Sequence, residues 1–308
     1  MHVKTTAKII SADFAFNKIS FAAAFLVLVL VSGLLLELIA GSELALSQLG
    51  FSFITSTEWN PVLQDFGALP AIFGTLVSSL IAIVIAIPVA IGSAIFLNEL
   101  TPKWFSVPVG KAIELLAAIP SIIYGMWGLF VFAPWFADGF QMWAMMNLVD
   151  VPVIGALFDG PPIGIGLLTA GIILSFMILP IMIALTRDAL ASIPNVVREA
   201  GYGLGATSNE VILKILLPKI SSAVVAASLL GTGRALGETM AVAFVIGGSN
   251  SIQASLFMPA SSISATIAQQ FNEASDPTHI SALIGLGLVL LAITFVIIAL
   301  SRLLLGKK

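Results

Sequence analysis

Residues 187–219 read RDALASIPNVVREAGYGLGATSNEVILKILLPK, and the fold class turns on what surrounds them. This is the one sizeable stretch that is polar and carries both signs of charge, and the apolar runs on either side are too long for a soluble core. Pro194 stands early in a predicted helix, where its missing N–H is one of the donors a first turn leaves free anyway. Gly201, Gly203 and Gly205 interrupt that helix. Thr207-Ser208-Asn209-Glu210 restarts a second helix as a capping box, the Thr207 hydroxyl taking a free N–H and Glu210 reaching back. Val211, Ile212, Ile215 and Leu216 follow at helical spacing, and Pro218 closes the segment. Two short helices joined by a glycine turn and held between two spans form a candidate docking surface for a partner.

Composition agrees with that setting. Hydrophobic residues make up 59% of the 308, charged residues 9%, and the mean hydropathy is +1.10. A soluble domain carries roughly a quarter charged residues, so the chain reads as an all-α polytopic membrane protein. Cysteine is absent, which removes disulfides, thiolate metal sites and cysteine nucleophiles together. His2 and His279 are too few and too separated for a zinc site.

Six apolar stretches are long enough to cross ~30 Å of hydrocarbon at about 20 residues each. They fall near 19–40, 70–97, 110–134, 163–186, 221–247 and 281–304, after an N-terminal segment 1–18. The first is longer than the ~7–15 residue core of a signal peptide, so it reads as a retained span. Lys4, Lys8, Lys18, Lys103, Lys111, Arg187, Arg198, Lys214, Lys219, Arg302, Lys307 and Lys308 all fall on one side of this six-span arrangement. The opposite loops, about 41–69, 135–162 and 248–280, contain no Lys or Arg and hold Glu43, Glu58, Asp65, Asp138, Asp150, Asp159, Glu273 and Asp276. The positive-inside rule then makes both termini and the 187–219 loop cytoplasmic.

The outer loops, with EWNP at 58–61, PWF at 134–136 and a short amphipathic helix expected near 262–272, read equally well as a packed outer surface or as a landing site. Pro88, Pro120 and Pro180 fall inside spans, where a freed carbonyl is tolerated if neighbours or water satisfy it. Each reads as packing geometry. Glu114, three residues from Lys111, reads as an interfacial ion pair or a carboxylate reaching the interface, and Glu37 stands near the outer end of span one.

Arg234 is the thirteenth basic residue and breaks the charge pattern. It lies thirteen residues beyond Ser221, so roughly 20 Å from the inner end of its span. A charge at a helix centre costs about 2.5–3.5 kcal/mol on insertion, so Arg234 must face protein or water. Its neighbours are Gly231, Gly233 and Gly237, which permit close backbone approach, and Glu238, which a continuous helix places on the same face. Two readings stand. Arg234 and Glu238 neutralise each other as a structural lock, or Arg234 grips an oxyanion in bidentate fashion while Glu238 holds it in place or exchanges with the anion.

A resemblance bears on both regions. Glu199-Ala200-Gly201, then Gly205, then Ile215, Leu217 and Pro218 resemble the E-A-A, G, I-x-L-P signature of ABC importer permeases, with Gly201 where that family usually has Ala. The resemblance implies a type I importer permease (MetI-like) fold in which this loop sits in a cleft of an ATPase subunit. The stretches at 66–76, 113–134, 231–247 and 274–290 are similar to the PstC-type permeases of phosphate-specific importers. That family implicates the Arg and Glu of its R-A-x-G-E-T segment in phosphate passage, which correspond to Arg234 and Glu238, with Thr239 beside them. A PstA-type sister subunit has a related segment. The stretch ELLAAIPS with its following YG favours the PstC type.

The resemblance further implies a bacterial inner-membrane heterodimer with a PstA-type permease, two copies of a PstB-type ATPase and a PstS-type phosphate-binding protein. ATP and Mg would sit on the ATPase, no cofactor on this subunit, and no nucleic acid is expected. The residues agree: Gly110-Lys111 and Gly306-Lys307 lack the rest of a Walker A pattern, and neither G-x-S-x-G nor H-E-x-x-H occurs. One intramembrane cation makes a thin anion site, so a second permease subunit is expected to supply another. The rivals are a permease for molybdate or sulfate, a stand-alone anion transporter needing no ATP, and a purely structural membrane subunit.

Overall fold

A computed structural model describes the backbone of residues 2–305 and the side chains of residues 16–303. The side chains of Lys4 and Lys8, and all of Lys307 and Lys308, lie outside the described residues. Helix α1 runs His2–Leu49, and a two-stranded hairpin follows, β1 (Trp59–Asn60) antiparallel to β2 (Asp65–Phe66). Then come α2 (Leu69–Leu100), α3 (Lys103–Leu116) and α4 (Ser121–Asn147). Next are α5 (Leu167–Ala191), α6 (Asn195–Gly203) and α7 (Ser208–Leu236). The short α8 (Met240–Val245) and α9 (Ile263–Gln270) precede the closing α10 (Pro277–Leu305). Counting α3 and α4 as one bent pair, six stretches are long and apolar enough to cross a membrane.

The bend at α3–α4 corrects the expected span 110–134. Ile119 precedes Pro120, whose ring disfavours helical backbone in the residue before it. Pro120 itself is extended (φ −57°, ψ 138°) and caps α4, and the two helices meet at 92°. The expected straight span is therefore a bent pair that is apolar enough only together, and α4 carries Asp138 inside it, so the loop expected from 135 begins only after Asn147. Span one also differs from 19–40: its helix runs on to Leu49, which leaves Glu37 twelve residues inside the helix rather than near its end. Gly41-Ser42-Glu43 stays helical because it packs on α10. A side chain at Gly41 would meet Ile284 at 2.9 Å, and the Ala45 N–H donates to Ser281 Oγ at 3.0 Å.

Pro218 does not close the 187–219 segment. The second predicted helix continues through it into the fifth span, so α7 replaces 221–247 as that span's main helix. A π turn over Val211–Leu216 precedes Pro218, and another over Gly128–Phe132 precedes Pro134. A wider turn absorbs the missing N–H and the ring's pressure on the preceding carbonyls.

Three apolar clusters order the bundle. The central one packs α2 on α5, where Ala82, Ala86 and Ala90 stand at four-residue spacing against Ile173, Leu174 and Ile178. Small residues let the backbones approach, which is how helices associate where lipid removes the hydrophobic drive between them. At one end Phe53, Phe66, Ile263 and Leu283 join α1, the hairpin, α9 and α10. At the other, Leu190, Ile193, Val211, Ile212 and Leu216 hold α6 between α5 and α7.

Candidate functional site

Arg234 stands two residues before the end of α7. The helix stops at Gly237 (φ −89°, ψ 0°): its N–H still makes the helical bond to the Gly233 carbonyl at 3.3 Å, but the Glu238 N–H bonds the Ala235 carbonyl at 3.4 Å and Thr239 turns to φ −108°, ψ −65°. The expectation that Arg234 and Glu238 share a helix face therefore fails. Glu238 Oε1 instead accepts the Ala241 N–H at 3.2 Å and caps α8, where a negative charge complements the helix end. Thr239 Oγ1 donates to the Gly237 carbonyl at 3.4 Å. Neither Glu238 nor Thr239 lines the cavity beside Arg234.

Among the described residues Arg234 makes no ion pair, and its Nε is buried without an acceptor. It lines a cavity of about 610 Å³ between α5, α7 and α10, whose apolar wall includes Ile181, Leu229, Leu230 and Ile298. Two of the three nearby glycines do different work from that expected. A side chain at Gly231 would meet Met182 at 3.0 Å, so this glycine does permit close packing, whereas Gly233 lines the cavity and Gly237 ends the helix.

The capping box at Thr207 is present in full: the Glu210 N–H donates to Thr207 Oγ1 at 3.4 Å and the Thr207 N–H to Glu210 Oε2 at 3.1 Å. The turn before it is made by Gly205 alone, at φ +83°. The Ala206 N–H bonds the Gly201 carbonyl and the Gly205 N–H the Tyr202 carbonyl, a Schellman termination that needs a left-handed residue. Gly201 stays inside α6 and packs inward, where an added Cβ would meet Ile215 at 2.9 Å and Val211 at 3.0 Å. Glu199 and Ala200 are exposed, together with Val196, Tyr202 and Leu204. The motif thus divides. Gly201 with half-buried Ile215 and Leu217 fastens α6 to α7, exposed Pro218 follows the π turn, and Glu199 and Ala200 face outward.

Residues 86–307 match the family of binding-protein-dependent transport system inner membrane components. A phosphate transport system permease protein PstC of Mesorhizobium japonicum is 50% identical over 290 residues, covering 94% of this chain and 89% of that one. The chain belongs to the PstC family. The PstC protein of Haemophilus influenzae is 46% identical over 284 residues (92% of this chain, 90% of that one). A probable PstC of Methanocaldococcus jannaschii is 36% identical over 259 residues (82% and 81%). The MetNI methionine ABC transporter in an inward-facing conformation has a similar fold (TM-score 0.51, 18% identity, 78% of this chain and 94% of that one). As a family member the chain is a permease subunit, a transport component rather than a catalytic one.

Sequence reasoning passed over the anchor of this PstC-family loop. Arg198 donates through Nε to both Glu99 oxygens (3.3 and 3.1 Å), and through Nη2 to Glu99 Oε1 at 2.7 Å. The same guanidinium reaches the Ile193 and Leu190 carbonyls at 2.7 and 2.9 Å. The hydrogen bonds that Arg198 donates to Glu99 hold its pKa above the ordinary value. Glu99 closes α2, so one guanidinium ties α6 to the ends of both α2 and α5. Glu114 pairs with Arg187 of α5 at 2.5 Å rather than with Lys111, fastening α3 to the same helix.

Proposed function

We propose that Arg234 is the anion contact in an ATP-driven importer that admits inorganic phosphate delivered by an external binding protein. One observation carries this reading: Arg234 is a permanent cation on a cavity between three helices long and apolar enough to span, and the carboxylate expected to neutralise it caps α8 instead. A guanidinium cannot shed its proton at physiological pH and presents donors matched to phosphate oxygens, so an oxyanion is the fitting counter-charge. PstC-family membership supplies phosphate as the anion.

The charge pattern supports placing the α6 loop and both termini in the cytoplasm. The exposed residues Val196, Glu199, Ala200, Tyr202 and Leu204 then face the ATPase, a pair of PstB-type subunits that carries ATP and Mg. Force on α6 passes through Arg198 to the ends of α2 and α5 and through Ile215 to α7. These three helices are packed on one another, so they move together and change access to the cavity at Arg234. A PstA-type partner completes the pathway across a pseudo-twofold axis. The acidic outer face repels free phosphate, which favours delivery by a PstS-type carrier over direct capture.

Competition against labelled phosphate uptake tests the cargo. Excess arsenate, of the same charge and geometry, is expected to suppress uptake, and equal sulfate to leave it unchanged. Suppression by sulfate instead would move the assignment to another oxyanion.

A further inference from the structure

Arg234 is not the only cation on its cavity. Arg302, in the last turn of α10, lines the same space, and no carboxylate does. Among the described residues neither arginine makes an ion pair, and the Nε of Arg234 is buried without an acceptor. Both are permanent cations on a largely aliphatic cavity, since a guanidinium is not silenced by losing a proton. Arg302 is exposed at its end of the cavity, whereas a charge partly withdrawn from water, as Arg234 is, is unfavourable unless an opposite charge joins it. The lining thus carries two cations and no carboxylate, which suits an anionic ligand.

The two cations stand at different depths. The α7 wall runs from Ala226 to Arg234, about 12 Å at ~1.5 Å per residue. Chain α10 returns across the membrane after α7, so its last turn lies toward the Ala226 end, on the side that the charge pattern makes cytoplasmic. We infer that Arg302 is a second oxyanion contact, which receives phosphate from Arg234 before release inward. The inference rests on the proposed phosphate path and deepens it: this subunit supplies two stations along the path, not one. Both are arginines, so both offer the forked donors that suit a phosphate group. A lipid headgroup presents the same phosphate oxygens. The transit anion is favoured because the same cavity continues about 12 Å along α7, from Ala226 to a second cation without an ion pair among the described residues, at Arg234.

The test uses the complete importer in phosphatidylcholine vesicles, with phosphate-loaded binding protein outside and ATP inside. Arg302→Gln is expected to lower labelled phosphate uptake about tenfold, the worth of a charge-assisted hydrogen bond. Binding-protein-stimulated ATP hydrolysis should persist, which shows that the complex is assembled, and Arg302→Lys should recover most of the uptake. Wild-type uptake by Arg302→Gln alongside a defective Arg234→Gln overturns the inference and leaves the phosphate path standing. Wild-type uptake by both variants removes the path itself. A defect of Arg302→Gln that appears only when the vesicles contain phosphatidylglycerol assigns the site to a lipid headgroup and also overturns the inference.

Discussion

Two arginines on this chain meet opposite surroundings. Arg198 directs its guanidinium at one carboxylate and two carbonyls, while Arg234 finds no ionic partner among the described residues. The first is therefore tied into the packing, and the proposed function gives the second an anion. Arg198→Gln leaves Glu99, whose side chain is 10% exposed, without its cation, and such a loss costs about 3 kcal/mol. Its melting temperature in detergent is expected to fall clearly, whereas Arg234→Gln removes an uncompensated charge and should melt no lower than wild type. The reverse order of melting would exchange the two roles. Arg234 was legible in the sequence because any charge inside an apolar run is conspicuous. The Arg198–Glu99 pair was not, since its partners are 99 residues apart and no periodicity links them. The pairing of Arg234 with Glu238 was misread because four-residue spacing joins side chains only while the helix lasts, and Gly237 ends it.

At the scale of elements, the α6 turn separates backbone strain from partner contact. Gly205 is left-handed at φ +83°, yet a Cβ there would meet nothing within 4 Å inside the chain. Gly205→Ala and Gly205→Glu consequently carry the same backbone penalty of about 1–2 kcal/mol. Only the longer, charged side chain intrudes on whatever docks outside. Phosphate uptake at matched membrane abundance should be partly retained with Ala and abolished with Glu. Equal activity of the two variants would mean that nothing docks on this turn. The capping box and the helix α9 were readable from residue chemistry alone, and the glycine turn in part, since Gly201 and Gly203 stay inside α6 and Gly205 alone makes it. The α3–α4 bend and the merging of the loop's second helix into α7 were not. Hydropathy counts apolar residues without direction, and a proline marks a stop, a kink or a π turn according to what packs around it.

For the whole molecule, the number of spans and the asymmetric distribution of charge followed from composition, because a bilayer admits few alternatives to apolar helices. The order of packing did not, since α2 meets α5 and α1 meets α10 through small residues that no sequence period singles out. That packing places a cavity lined by Arg234 and Arg302 between α5, α7 and α10 while α6 stays exposed. A molecule so arranged should move an anion only when a partner works on α6. The most direct measurement is labelled phosphate uptake into vesicles containing the complete importer, with and without internal ATP, for wild type and Arg234→Gln. The account predicts uptake by wild type that requires both ATP and loaded binding protein, and its loss in Arg234→Gln while ATP hydrolysis continues. Undiminished uptake by Arg234→Gln, or wild-type uptake without ATP, would contradict it.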